Sequence, residues 1–148
     1  MKKLKMNISG NNDIEINDIM IGEVWLCSGQ SNMELTMQRV SPIYKQEISE
    51  CDNPNIRYFE VPDKYNFYKP QKDFIYGSWI KPDPKTILKF SALSYFFGKE
   101  LQEKHNIPIG LINAALGGSR AECWMSEESL KKFPVHYNEA IMYRDSVM

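Results

Sequence analysis

The sequence predicts the α/β class with a flavodoxin-like parallel sheet, because short apolar runs alternate with segments of helical periodicity. The first run, residues 23–28, precedes apolar residues at the spacing of one helical stripe. A second run spans residues 56–61. The third, residues 109–112, is almost wholly apolar, as in a parallel strand that is covered on both faces. The length of 148 residues is that of one domain with a real core.

The remaining elements follow in order along the chain. A turn cluster of Asn, Gly and Asp before residue 14 predicts a short N-terminal strand or hairpin. After the first parallel strand, Met33, Met37 and Val40 fall on one helical stripe. Between residues 62 and 86, prolines and aromatic residues predict an irregular loop around a short strand at 75–80.

The segment 89–105 predicts one amphipathic helix. Gly98 in its interior indicates close packing against a neighbouring element. The expected buried stripe consists of Phe90, Leu93, Phe97 and Leu101. Beyond residue 131 the pattern is weak and is typical of a loose helix.

Ser31 is the candidate nucleophile, because it follows the first parallel strand through Gly29. A strand that ends at a glycine and presents a serine at a helix start exposes the serine oxygen and offers N–H donors to an oxyanion. The alternative is a capping box, in which Ser31 and Glu34 satisfy the free N–H groups of the helix start. Met33 occupies the place of the second glycine in G-x-S-x-G, which disfavours the α/β-hydrolase elbow.

Gly117 and Gly118 are the second candidate feature. A residue without Cβ lets a backbone N–H approach a developing negative charge. The alternative is a tight strand-to-helix turn that binds nothing. Residues 119–122 form another S-x-x-E, and a further helix start is expected at Ser126.

Three side chains after the glycine pair receive ordinary structural interpretations. Capping explains Glu122, and core packing explains Trp124. Arg120 is interpreted as a solvated arginine, with contact to an acidic sugar as the alternative. No substrate-binding residue is predicted.

Several stretches of the chain resemble the sialate O-acetylesterases, a branch of the SGNH hydrolases. Residues 21–34 (Ile-Gly-Glu-Val-Trp-Leu-Cys-Ser-Gly-Gln-Ser-Asn-Met-Glu) resemble the nucleophile block of that family. Residues 90–101, 107–113 and 117–124 resemble its helix, strand and glycine-pair turn, in the same order. Together the matches span roughly residues 6 to 130.

The resemblance implies a domain organisation and two site residues. Residues 1–20 would be the remnant of a preceding β-rich region. Residues 21–148 would be the N-terminal part of an SGNH-type domain, an incomplete parallel sheet with helices on both faces. Ser31 would supply the nucleophile and, through its own N–H, one oxyanion donor. Gly117 would supply a second oxyanion donor, with Gly118 as the fallback.

The resemblance also implies catalytic pieces that these 148 residues lack. A Gln-Gly-Glu block, which would add an oxyanion donor, does not occur. Nor does an Asp-x-x-His element, which would supply the orienting acid and the base. His105 and His136 lack that setting. A serine protease without its triad keeps only about 10³- to 10⁴-fold acceleration over water. We therefore expect the isolated chain to be weakly active or inactive.

These observations predict a truncated serine esterase that removes O-acetyl groups from a sugar such as sialic acid. Two alternatives remain open. One is a non-catalytic α/β module that binds a sugar or a partner chain through an open sheet edge. The other is half of an enzyme that is completed by a second chain, or by self-association, across the same edge.

Composition argues against several other classes. A formal charge of −1 and a pI of about 6.1 disfavour nucleic acid and acidic membranes as partners. The sequence shows no signal-peptide core and no run of about 18 apolar residues. The resembled family is typically periplasmic, extracellular or lysosomal. Because this expectation conflicts with the lack of a signal-peptide core, the compartment is not predicted. No metal or cofactor is expected, and the three cysteines are interpreted as small buried side chains: Cys27, Cys51 and Cys123.

Overall fold

The structure, a computed structural model, describes residues 4–64 and 69–146. Within these residues the chain forms an antiparallel hairpin, a parallel sheet and a set of mostly short helices. The hairpin pairs β1 (Leu4–Ser9) with β2 (Asp13–Ile19), as the N-terminal pattern predicts.

The parallel sheet has three strands in the order β3, β5, β4. They are β3 (Glu23–Gly29), β4 (Ile56–Glu60) and β5 (Ile109–Ala115). The last strand in sequence is therefore central, and it pairs in parallel with both neighbours. The predicted α/β class and the incomplete parallel sheet are confirmed.

Six helices surround the sheet in the described residues. Two single 3₁₀ turns, Ile87–Lys89 and Ala121–Trp124, precede α4 and α5. The helices are α1 (Ser31–Glu34), α2 (Met37–Val40), α3 (Lys45–Ser49), α4 (Ala92–His105), α5 (Glu127–Leu130) and α6 (Pro134–Ser146).

The predicted helical stripe after β3 is divided between two helices. Residues 35 and 36 leave the helix, and Thr36 forms an antiparallel bridge with Ser91. Backbone bonds from Ala92 to Leu35 (2.8 Å) and from Met37 to Phe90 (2.9 Å) flank this bridge. The single-helix prediction is wrong because these long-range hydrogen bonds interrupt the helical ladder.

Helix α4 packs closely on β5 at Gly98. A Cβ atom at Gly98 would lie 2.8 Å from the Cδ1 atom of Leu111, which confirms the predicted close packing. The predicted buried stripe is wrong in its middle, where Leu93 and Phe97 are 52% and 39% exposed. The buried residues of α4 are instead Ala92, Ser94, Tyr95, Gly98 and Gln102.

The two outer edges of the sheet differ. At β4, Tyr58 exchanges two backbone hydrogen bonds of 2.8 Å with Ile80. That bridge is the only pairing of the 75–80 segment in the described residues, so the strand expected there is wrong. At β3, no described strand pairs with the outer edge. Val24 and Leu26 on this strand are 62% and 68% exposed.

The core lies between β4, β5 and the helices on their buried face. Cys27 and Cys51 are buried, as predicted. The prediction is wrong for Cys123, which is exposed, because it lies in the 3₁₀ turn after the glycine pair. The buried cluster comprises Cys27, Met37, Cys51, Ile56, Tyr58, Ile87, Phe90, Ala92, Tyr95, Ile109 and Leu111.

Candidate functional site

Ser31 is the first residue of α1, directly beyond the carboxyl end of β3. The N-cap is Gln30, whose side chain makes no capping bond. Its carbonyl accepts the backbone N–H groups of Met33 (2.8 Å) and Glu34 (3.0 Å). The capping-box alternative is therefore wrong for Ser31. In the part of the chain that the structure describes, neither the hydroxyl nor the backbone N–H of this exposed serine has a hydrogen-bond partner.

The glycine pair lies in a tight turn that begins where β5 ends. The N–H of Ser119 donates to the carbonyl of Leu116 (3.2 Å), and Gly118 has a φ of 75°. A positive φ at the third residue is typical of a type II turn and favours glycine there. The N–H of Leu116 donates to the carbonyl of Gly29 (3.0 Å). This bond joins the turn to the end of the strand that precedes Ser31.

Ser31 and Gly117 come together at this edge. An ideal Cβ atom built at Gly117 would lie 3.7 Å from Ser31 Oγ and would overlap the carboxylate of Glu34. The absence of a side chain at Gly117 thus lets the Glu34 carboxylate lie against the glycine backbone, next to Ser31. Among the described residues, the Gly117 N–H is also without a hydrogen-bond partner. Ser31 and Gly117, which lie close together in the fold, therefore each have a free backbone N–H donor.

A buried polar network underlies this edge and was missed from the sequence. Ser94 Oγ lies 3.3 Å from the Sδ of Met33 and 3.4 Å from the Oδ1 of Asn113. The Nδ2 of Asn113 donates to Glu60 (3.3 Å), which also accepts from the hydroxyl of Tyr58 (2.6 Å). Burial, and next this bond to Glu60, raise the pKa of the Tyr58 hydroxyl. The available signal was Asn113 itself, the one strongly polar residue in the apolar run of β5.

Neither histidine hydrogen-bonds to Ser31 in the described residues. His105 ends α4 and is exposed. The Nδ1 of His136 on α6 lies 3.1 Å from a carboxylate oxygen of Glu122. The capping interpretation of Glu122 is wrong, because Arg120 is the N-cap of that turn and no side chain caps it.

Two other predictions after the glycine pair have opposite outcomes. Trp124 is not a core residue but is 45% exposed, and its Nε1 donates to Ser119 Oγ (2.9 Å). Its exposure follows from its position on a surface 3₁₀ turn. The predicted helix start at Ser126 is confirmed, since its Oγ accepts the backbone N–H of Ser129 (3.2 Å). Arg120 is 69% exposed and pairs with Glu139 at 3.2 Å.

Two searches of the described ranges, 4–64 and 69–146, found nothing. No group of three or more His, Cys, Asp or Glu side chains is arranged to hold a metal ion. No helix there combines the length and the apolar character that a membrane crossing requires.

The fold and the site define an α/β protein whose candidate site lies beyond the carboxyl ends of parallel strands, where ligands of such sheets bind. Comparisons with known proteins narrow this class. The profile of the carbohydrate esterase, sialic acid-specific acetylesterase family matches residues 21–146. The chain therefore belongs to the sialic acid-specific acetylesterase family of carbohydrate esterases.

Individual relatives agree with this family. A sialate O-acetylesterase from Homo sapiens is 31% identical over 144 residues, which cover 93% of this chain and 27% of the relative. One from Rattus norvegicus is 31% identical over 127 residues, or 82% and 23%. The crystal structure of a carbohydrate acetylesterase from Xanthomonas citri superposes with a TM-score of 0.78 at 32% identity, covering 86% of this chain and 29% of that one. The chain thus spans about a quarter of the length of these relatives.

Proposed function

We propose that this chain contributes the nucleophile and two oxyanion donors to a carbohydrate esterase that removes O-acetyl groups from sugars. The observation that carries the proposal is the proximity of Ser31 and Gly117, two residues distant in sequence, each with a free backbone N–H in the described residues. Family membership supports the same chemistry. An O-acetylated sugar such as sialic acid is the proposed substrate.

In the proposed reaction, Ser31 Oγ attacks the acetyl carbonyl carbon and the carbonyl oxygen becomes an oxyanion. The N–H groups of Ser31 and Gly117 donate to this oxyanion. Such preorganised donors stabilise the negative charge that develops in the transition state. A base must take the serine proton, and an acid must orient that base. We propose that a histidine and an aspartate outside these 148 residues fill both roles.

The outer edge of β3 is the proposed attachment surface for the segment that carries this base. It is unpaired in the described residues, and Ile21, Val24 and Leu26 expose apolar surface beside it. An exposed apolar strand edge is a template for a further strand. A parallel strand added there would end beside Ser31, because the carboxyl ends of parallel strands meet at the same edge of a sheet.

The proposal is tested by acetate release from an O-acetylated sialic acid. The chain is assayed alone and together with a polypeptide that carries a Gln-Gly-Glu block followed by Asp-x-x-His. We expect near-background release from the chain alone and clear activity from the combination. Ser31→Ala should then lower kcat by at least about 10³-fold. The control Ser28→Ala, in the preceding strand β3, should stay active. Full activity with Ser31→Ala would refute the proposal.

The choice between the two glycines has its own test in the combined protein. Gly117→Ala adds a methyl group that lies 3.7 Å from Ser31 Oγ and overlaps the Glu34 carboxylate, so Glu34 or the turn must shift, and we expect a loss in kcat of about 10²-fold. A Cβ atom at Gly118 meets no atom within 4 Å, but the φ of 75° is strained for alanine. Gly118→Ala should therefore cost about 1–2 kcal/mol of stability and change kcat less. The reverse pattern would assign the donor to Gly118.

A second candidate function is a non-catalytic interaction module. The exposed apolar side chains at the β3 edge favour it, because strand addition at such an edge is a common mode of partner binding. Analytical ultracentrifugation of the chain tests self-association across this edge. Val24→Lys and Leu26→Lys should dissociate such a dimer. A monomeric chain would exclude self-association.

A further inference from the structure

A cleft of about 230 Å³ opens beside the glycine turn, at the carboxyl ends of β4 and β5. Residues 61–64 and 114–116 line two of its sides, and Ser119, Cys123 and Trp124 line another. The first and last residues of the turn that carries Gly117 are thus part of its wall. A ligand in this cleft would lie beside the turn that carries Gly117, while Ser31 and Gly117 themselves are not among the lining residues.

The lining of the cleft combines apolar walls with a charged rim. Ala114 and Leu116 are apolar, while Asp63 and Lys64 place opposite charges at the exposed side. Trp124 is 45% exposed. Its indole N–H already donates to Ser119 Oγ (2.9 Å), so the polar atom of the ring is satisfied within the protein. What the tryptophan offers a ligand is therefore its apolar ring surface.

These features match the two-sided character of a sugar. A sugar ring has an apolar C–H face and a rim of hydroxyl groups, and pockets bind through apolar and aromatic walls with a few polar groups. The volume of about 230 Å³ is smaller than the roughly 300–1,000 Å³ of pockets for drug-sized ligands. The volume of the cleft therefore suits a small unit such as a single sugar ring.

We propose that this cleft binds the monosaccharide ring of the ester substrate, with Trp124 against the apolar face of the ring. The inference rests on the proposed function, since it names where the sugar of that substrate lies. Trp124 is then a specificity-determining residue. Through Ser119, which donates to the carbonyl of Leu116 (2.6 Å), it also positions the glycine turn.

Cys123 provides a test that needs no catalysis. It lines the cleft and is exposed, whereas Cys27 and Cys51 are buried and serve as internal controls. The rate of alkylation by iodoacetamide is followed by mass spectrometry in the 148-residue chain. The probes are N-acetylneuraminic acid and methyl β-galactoside, each titrated to saturation or to its solubility limit. We expect at least one of them to slow alkylation of Cys123 several-fold.

Variants separate ring contact from the structural role of the tryptophan. Trp124→Phe keeps an aromatic face and should retain most of the protection, whereas Trp124→Ala should weaken sugar affinity about tenfold. Trp79→Phe and Trp79→Ala are matched controls, because Trp79 is 47% exposed but does not line the cleft. Backbone amide NMR spectra verify that each variant is folded.

Two results would overturn the inference. One is alkylation of Cys123 at an unchanged rate with both sugars, and the other is full protection that persists in folded Trp124→Ala. Either result leaves the esterase proposal standing if acetate release by the combined protein still depends on Ser31. Conversely, loss of that dependence overturns the esterase proposal, whatever the alkylation rates are.

Discussion

The contact between Gly98 on α4 and Leu111 on β5 predicts a strong coupling between two substitutions. The methyl group added by Gly98→Ala would lie 2.8 Å from Leu111 Cδ1 and 3.1 Å from Cδ2. Carbon atoms pack at about 3.5–4.0 Å, and Leu111 is fully buried. Overpacking costs about 1–3 kcal/mol, and replacing a helical glycine by alanine returns about 1 kcal/mol. Gly98→Ala alone should therefore cost about 0–2 kcal/mol.

Leu111→Ala alone leaves a cavity and should cost about 2.7–5.0 kcal/mol. In the double variant the methyl group at position 98 occupies part of that cavity, so both penalties shrink. We expect the double variant to be about 1–2 kcal/mol more stable than the sum of the single changes implies.

Urea unfolding of the wild type, both single variants and the double variant measures this coupling. Gly10→Ala is the matched control, because a Cβ atom there meets only a backbone oxygen, that of Asn12 at 4.0 Å. Combined with Leu111→Ala, it should be additive within about 0.5 kcal/mol. Additivity of the Gly98 and Leu111 pair would refute the close approach of α4 to β5.

Two further predictions concern stability. Gly22→Ala would place a methyl group 2.7 Å from the backbone carbon of Pro108, and we expect a loss of at least about 2 kcal/mol. A melting temperature within about 2 °C of wild type would contradict this. Partial burial raises the pKa of the Glu47 carboxyl. Hydrogen bonds from Lys99 and Tyr95 lower this pKa by a larger amount, so the net pKa lies below its ordinary value of 4.5. The associated stability is present above pH 4.5 and is lost as the pH falls below it. Urea midpoints between about pH 3 and pH 6 should therefore fall less steeply in Glu47→Gln.

The three parallel strands were predicted within three residues at each end, because each is a short apolar run between turn signals. Their order was not predictable, since periodicity contains no information about which strands pair. On α4, the stripe of Leu93 and Phe97 marks apolar surface, but small residues determine the face that packs. Gly98 lets the helix approach Leu111, and Phe97 instead contacts Trp25 at the sheet edge, at a centroid distance of 5.2 Å.

The candidate site was predictable in part. Ser31 and Gly117 were chosen from local motifs and from a family resemblance, and the fold brings them close together. The cleft residues were not found from the sequence. Trp124 has a large aromatic side chain of the kind expected in a core, and only its position on a surface turn exposes it. Asn113 was missed because its hydrogen bonds are made to residues distant in sequence.

The position of β3 at the edge of its sheet affects when the segment that carries Ser31 becomes rigid. One row of backbone amides on this strand is unpaired in the described residues, and such strands open more readily than central ones. Ser31 follows directly from this strand. A segment that brings the base and pairs with β3 would thus stiffen the support of the serine in the same event. Under the proposed function, the Ser31 hydroxyl and its base would become ordered together.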